Sequence, residues 1–292
     1  MNSHHAPHRA LGLGLVGLGA GLALNTLIGP LALDLVAYPF SETVLNETLG
    51  LEAISLVLIA PLAIVAGVLA ARGHSLGSVV ALGPSGYAAY MLAQYVVGPQ
   101  YATYEPVIAL HLTLFIVAVG VLVGAWSAID AAGLPRRSRR SEIGWAVTVL
   151  LMAGFAVSRW SGALGAMAGN EAVPVAPTDL TMYWSIFLLD LGLVVPASIA
   201  TAIAVLRRSP LAGKALYGVV GWFALVPPSV AAMAIVKVVR DDPVANPGDT
   251  VVLAVVTLVF WTIAAVLFRP LVARPGASTT FPAARTPIAD AR

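Results

Sequence analysis

The chain has 292 residues, of which 59% are hydrophobic and 10% charged, with a formal net charge of +2 and a mean hydropathy of +0.90. Soluble domains carry roughly 25% charged residues, so this composition excludes a soluble enzyme and a disordered chain and indicates a polytopic membrane protein. No cysteine is present, which excludes disulfides, thiolate metal sites and cysteine-held haem or iron–sulfur clusters, and the small net charge gives no case for nucleic acid.

Crossing the hydrocarbon core takes about 20 apolar residues, and such runs predict eight spans over 10–30, 51–71, 78–98, 106–128, 143–163, 182–206, 213–238 and 250–269. The first also fits a signal-peptide pattern, with Gly21-Leu22-Ala23 as a small-x-small site, although the run continues to Leu33. Pro84 lies in the third span between Gly83 and Gly86, a weak point, and Pro227-Pro228 in the seventh predicts a kink or break. Gly17-x-x-x-Gly21 and Gly165-x-x-x-Gly169 fit the pattern for close helix approach. The tail over 273–292 is rich in Pro, Ser, Thr and Ala and is expected to be disordered.

Basic residues set the expected orientation. Arg9, Arg72, Arg136, Arg137, Arg139, Arg140, Arg207, Arg208, Lys214, Arg269, Arg274, Arg285 and Arg292 fall on one side of the predicted zigzag, 13 of the 16 in the chain. The positive-inside rule then places both termini in the cytoplasm, with an even number of spans between them. The opposite loops are acidic.

A shift of 135 residues pairs Pro61 with Pro196, Ile64 with Ile199, Arg72 with Arg207, Leu76 with Leu211, Gly83 with Gly218, Gly86 with Gly221 and Ala89 with Ala224. It carries the second and third spans onto the sixth and seventh without moving a charged loop. The expected architecture is therefore an all-α bundle of two four-span repeats in parallel orientation, 1–130 and 143–272, joined by a basic linker at 131–142. Two ordinary hairpins of shared composition are the alternative.

Gly50-Leu51-Glu52, Pro61, Arg72-Gly73, Gly83 and Tyr87-x-x-Tyr90-x-x-x-x-Tyr95-x-x-Gly98, with Asp190 to Pro196 and Arg207-Arg208 in the second half, resemble a family of bacterial integral membrane proteins of about eight spans and no established activity. The resemblance implies architecture and no substrate. At Glu52 the chain departs from a Gly-Gln-Asp-like pattern, keeping the acid and carrying Leu51 in place of the amide.

Ionisable groups inside spans are costly and usually face a bundle interior or an aqueous cavity. Asp190 sits about 12 Å into the sixth span at 1.5 Å per residue, too deep for a short carboxylate to reach the interface, and Arg159 is its expected partner. Glu52, His111 and Lys237 fall in the same outer half. Tyr87, Tyr90 and Gln94 share one face of the third span, and Tyr183 shares one with Asp190. One reading is an outward-open cavity in which Asp190 and Glu52 bind a cation, a proton or a polar solute, with Arg159 or Lys237 as counter-charge. The other has Glu52, Arg159 and Lys237 extending to the interface among belt tyrosines, and Asp190 in a structural ion pair.

No cofactor is expected: a bis-imidazole haem needs a second membrane histidine beside His111, and Lys237 lies too near a boundary for a retinal Schiff base. No zinc-protease, nucleophile-elbow or phosphate-loop motif occurs. The competing function is a scaffold or sensor whose Arg136, Arg137, Arg139 and Arg140 meet anionic lipid or a partner protein. Asn46-Glu47-Thr48 matches a glycosylation sequon.

Overall fold

A computed structural model describes residues 6–273; the predicted disordered tail falls almost wholly outside them. All regular structure among these residues is helical. Eight helices are long and apolar enough to cross a membrane: α1 (Ala6–Ile28), α2 (Glu42–Ala71), α3 (Ser75–Val97), α4 (Pro106–Ala128), α5 (Arg139–Arg159), α7 (Pro177–Leu206), α8 (Ala212–Val239) and α9 (Pro247–Val272). A short exposed helix, α6 (Ser161–Gly169), follows a break at Trp160. The described termini lie at one end of the bundle, here the proximal end, and the α1–α2, α3–α4, α5–α7 and α8–α9 connections at the distal end. Large aliphatic side chains such as Val57, Leu151, Leu188, Val251 and Leu258 are exposed on the flanks, a surface suited to lipid rather than to water.

The most buried helices are α3 and α8, which cross at the centre. A Cβ placed on Gly83 would stand 3.1 Å from the Gly221 backbone, so the absence of side chains lets the two helices meet. Around them α1 packs on α2 and α5 on α7, while α4 packs on α3 and α9 on α8. The distal half of α2 lies along the distal half of α8, where a Cβ on Gly50 would meet Met233 N at 2.5 Å. Leu15, Leu18 and Leu22 of α1 are fully buried in the same core.

Helix α2 starts at Glu42, nine residues before the predicted span, and α7 starts at Pro177, five before. Polar side chains hide these starts from hydropathy: Ser41 caps α2 by accepting from Val44 N, and its own N–H donates to buried Asp179 at 3.0 Å. Each long helix also holds a π-helical turn, Ser55–Ile59 in α2 and Asp190–Val194 in α7, followed by Pro61 or Pro196 at the second position of resumed α-helix. A proline cannot donate to the carbonyl four residues back, and the wider turn absorbs the interruption, with Ala60 N bonding Ser55 O and Val195 N bonding Asp190 O.

Both π turns stand 135 residues apart, as do the ends of the helices that follow, Ala71 and Leu206. Gly73 and Arg208, at the same offset, both take left-handed backbone after the helix end, with φ of 77° and 54°. In each case the next residue donates back to the last turn, His74 N to Leu69 O and Ser209 N to Ala204 O.

Pro227-Pro228 breaks α8, as expected: α-helix stops at Phe223 and restarts at Val226. The Ala224 carbonyl, left without its i+4 partner by Pro228, finds a side-chain donor in Trp261 Nε1 at 2.9 Å, and Ser229 Oγ donates to Leu225 O at 2.8 Å. Pro84, by contrast, sits within a continuous α3. Neither small-residue motif brings its whole pattern into a helix contact: Gly17 and Gly165 have open space, whereas Gly12 and Gly19 face α2.

Candidate functional site

Two polar clusters occupy the distal half, and they divide the residues that the sequence groups together. The first surrounds Asp190. The π turn presents this side chain to α3 and α5, where Tyr90 Oη donates to Oδ1 at 2.6 Å and Trp160 Nε1 to Oδ2 at 2.8 Å. Arg159 Nη1 is 3.7 Å from Oδ2, so the expected ion pair forms, but loosely, because neutral donors already occupy both oxygens. Asp190 is only 2% exposed. Tyr183 reaches this group indirectly, its ring edge-on to Trp160 at 5.3 Å. Trp160 and its donor were missed by the sequence reading; adjacency to Arg159 is the only cue in the chain.

Beside Asp190 lies a cavity of about 430 Å³ between α2, α3, α5, α7, α8 and α9. Tyr87, Tyr90 and Gln94 form one wall, as their spacing predicts, and Arg159 and Lys237 stand at its distal rim with Glu47, Asn246 and Asp249. The remaining lining is apolar, including Met91, Phe155, Met233 and Leu253. Tyr87 Oη donates to Ser229 Oγ at 2.7 Å, tying the wall to the restart of α8. Lys237 donates to Glu47 at 2.8 Å.

Glu52 and His111 do not join this cavity, contrary to the expectation of one shared site. Because α2 begins early, Glu52 is ten residues inside the helix and 1% exposed, which overturns its placement as an interfacial side chain. Tyr38 Oη donates to its Oε1 at 3.1 Å, and Thr26 Oγ1 donates to its backbone carbonyl. The carboxylate lies flat against Gly29, where a Cβ would be 2.8 Å from both oxygens. His111 Nε2 is 2.8 Å from Asn25 Oδ1, and its ring lies 5.1 Å from that of Tyr95 and 6.1 Å from that of Tyr38. Burial, then the neighbouring Glu52 carboxylate, pushes the Tyr38 phenol well above its ordinary range, so Tyr38 remains a donor.

On the far side of Tyr38 an open pocket of about 680 Å³ is lined by Tyr101 and Glu105. Burial and the Glu105 charge push the Tyr101 hydroxyl up to about 12.

A third group closes the distal seam of α2 and α8. Asp242 accepts from Asn46 Nδ2 at 2.8 Å, Val244 N at 3.0 Å and Thr43 Oγ1 at 3.2 Å. Asn46 is fully buried by this contact, so the sequon cannot receive a glycan in the folded chain.

At the proximal end the basic linker is partly spent on the fold. Arg139 donates to Leu206 O at 2.7 Å and so caps α7, and Arg137 stands 5.2 Å from the Tyr217 ring centre. Arg136 and Arg140 are exposed. No family model, curated protein or solved structure matches the chain.

Proposed function

We propose that the protein binds a small polar solute, a cation or a proton in the distal cavity beside Asp190 and carries it across the membrane. The observation that carries this reading is the cavity itself: a charged rim, a wall of tyrosine and glutamine hydroxyl and amide groups, and a buried carboxylate held against that wall by Tyr90. Buried carboxylates in a bundle are costly, and this one shares its tyrosine with an open space. The break of α8 adjoins the same cavity, in the manner of the discontinuous helices that line transporter sites.

The positive-inside orientation turns the cavity away from the cytoplasm of a bacterial inner membrane. The shared 135-residue offset of π turns, prolines and left-handed helix ends supports a tandem duplication with both halves facing the same way. Asp190→Asn keeps the shape and removes the charge. In proteoliposomes this variant is expected to lose proton-coupled solute flux; normal flux and coupling would remove Asp190 from the role.

A second reading, a lipid- or partner-binding scaffold or sensor, has one observation in its favour, the exposure of Arg136 and Arg140. Each such charge contributes roughly 1 kcal/mol at an anionic surface. Neutralising both residues is expected to weaken retention on anionic vesicles if this reading holds, and to leave it unchanged if the arginines only solvate the linker.

A further inference from the structure

The two halves of the bundle differ in how their outer helices pack. Helices α1 and α4 pack along each other, whereas their counterparts in the second half, α5 and α9, do not. They meet at the Phe155 and Phe260 rings, 5.4 Å apart. The cavity lies distal to that pair, with Arg159 on the α5 side and Val252, Leu253 and Asp249 on the α9 side. Val252 is 61% exposed on the lipid-facing flank, so the gap between the helices runs toward the bilayer through apolar side chains.

The two sides of the gap carry opposite charges that are little used inside the protein. Arg159 has only the 3.7 Å contact with Asp190, whose oxygens are already occupied. Asp249 accepts one neutral hydrogen bond, from Asn246 Nδ2 at 3.1 Å. No ion pair joins Arg159 to Asp249 among the described residues. Lys237, the other rim cation, is committed to Glu47. What the cavity offers is one guanidinium with free donors on the α5 side, one carboxylate holding a single neutral hydrogen bond on the α9 side, and apolar side chains lining the same space. That arrangement complements a zwitterion attached to an apolar body.

We infer that the gap between α5 and α9 is a lateral portal through which the cavity takes a zwitterionic phospholipid headgroup, its phosphate on Arg159 and its ammonium on Asp249. This rests on the binding role given to the cavity above and names its ligand class. The volume of about 430 Å³ falls within the roughly 300–1,000 Å³ of small-ligand pockets. It holds a headgroup and the start of the chains, and the rest of the acyl chains remain in the bilayer beside Val252 and Leu253.

The test uses the full-length protein in detergent, titrated separately with phosphatidylethanolamine, phosphatidylglycerol and soluble glycerophosphoethanolamine, with adducts counted by native mass spectrometry. Phosphatidylethanolamine is expected to bind at one site, weakened at least about tenfold, the scale of one charged hydrogen bond, by Arg159→Gln and by Asp249→Asn. Leu253→Trp, which narrows the gap and leaves both charges, is expected to weaken it too. Phosphatidylglycerol, which lacks the ammonium, is expected to bind more weakly and to ignore Asp249→Asn. Thermal unfolding of each exposed-site variant reports that it is folded. Equal binding of the two lipids, or an ethanolamine adduct indifferent to Asp249→Asn, overturns the inference. Binding of the soluble headgroup without a lipid adduct also overturns the portal but leaves the solute-binding role standing, and binding of none of the three, together with normal flux in Asp190→Asn, removes both.

Discussion

Asp190 shows how one buried charge is held in an apolar bundle. Its oxygens take a phenol and an indole N–H, donors that need no desolvated counter-ion, and Arg159 contributes from a longer distance. Removing one neutral donor therefore exposes the acid to its desolvation cost. Trp160→Phe, which keeps the aromatic packing and deletes the N–H, is expected to lower unfolding stability by about 1–3 kcal/mol, whereas Tyr183→Phe leaves it unchanged; thermal unfolding in detergent compares the two.

Asp242 gives a pH prediction. Burial alone would raise its carboxyl, but the Asn46 amide, the Val244 N–H and the Thr43 hydroxyl outweigh it and hold the group below the ordinary 3.8. A carboxyl depressed in the folded state adds stability that is fully present above the unfolded-state pKa and is lost as pH falls through the folded value. Wild-type protein should therefore lose melting temperature below about pH 4 more steeply than Asp242→Asn, which should be less stable near neutrality and flatter in acid. The Asp190–Arg159 pair was legible in the sequence, because a deep carboxylate and a cation fall at matching depths. Asn46–Asp242 was not, since 196 residues separate the two and nothing local links them.

At the scale of elements, the seams are set by what is missing as much as by what is present. Gly50 lets the distal halves of α2 and α8 approach until backbone meets backbone. Gly50→Ala is expected to cost about 1–3 kcal/mol as overpacking and to loosen the Lys237–Glu47 and Asn46–Asp242 contacts on the same seam. Gly144→Ala, where a Cβ meets nothing within 4 Å, is the control that should leave the melting temperature unchanged. The break at Pro227-Pro228 could be read from two consecutive missing donors. The π turns could not: the prolines announce an interruption, but whether a helix kinks, breaks or widens depends on the neighbours packed around it, and Pro84 stays inside a continuous helix.

The whole molecule reads as a membrane protein from its exterior. Exposed leucines and valines cover the flanks of α5 and α9, and polar clusters concentrate at the distal interior. The lack of native cysteine makes its topology directly measurable. Ser138→Cys, before α5, and Ala172→Cys, after α6, are expected to react with a membrane-impermeant thiol reagent from opposite faces of sealed vesicles; labelling from the same face would contradict an odd number of crossings between them.

Eight apolar runs and the alternation of charged loops were enough to determine that the chain is an all-helical, eight-span bundle, because the bilayer imposes its own length and polarity on any sequence that crosses it. The sharing of polar residues between sites was decided only by tertiary packing. Hydropathy ranks residues along one axis, depth, and on that axis Glu52, His111, Asp190 and Arg159 are alike. Rotation about each helix, the early start of α2 and the crossing of α3 with α8 separate them laterally, so that Arg159 lines the cavity and Asp190 sits behind its wall on Tyr90, while Glu52 and His111 are buried against Tyr38 and Asn25.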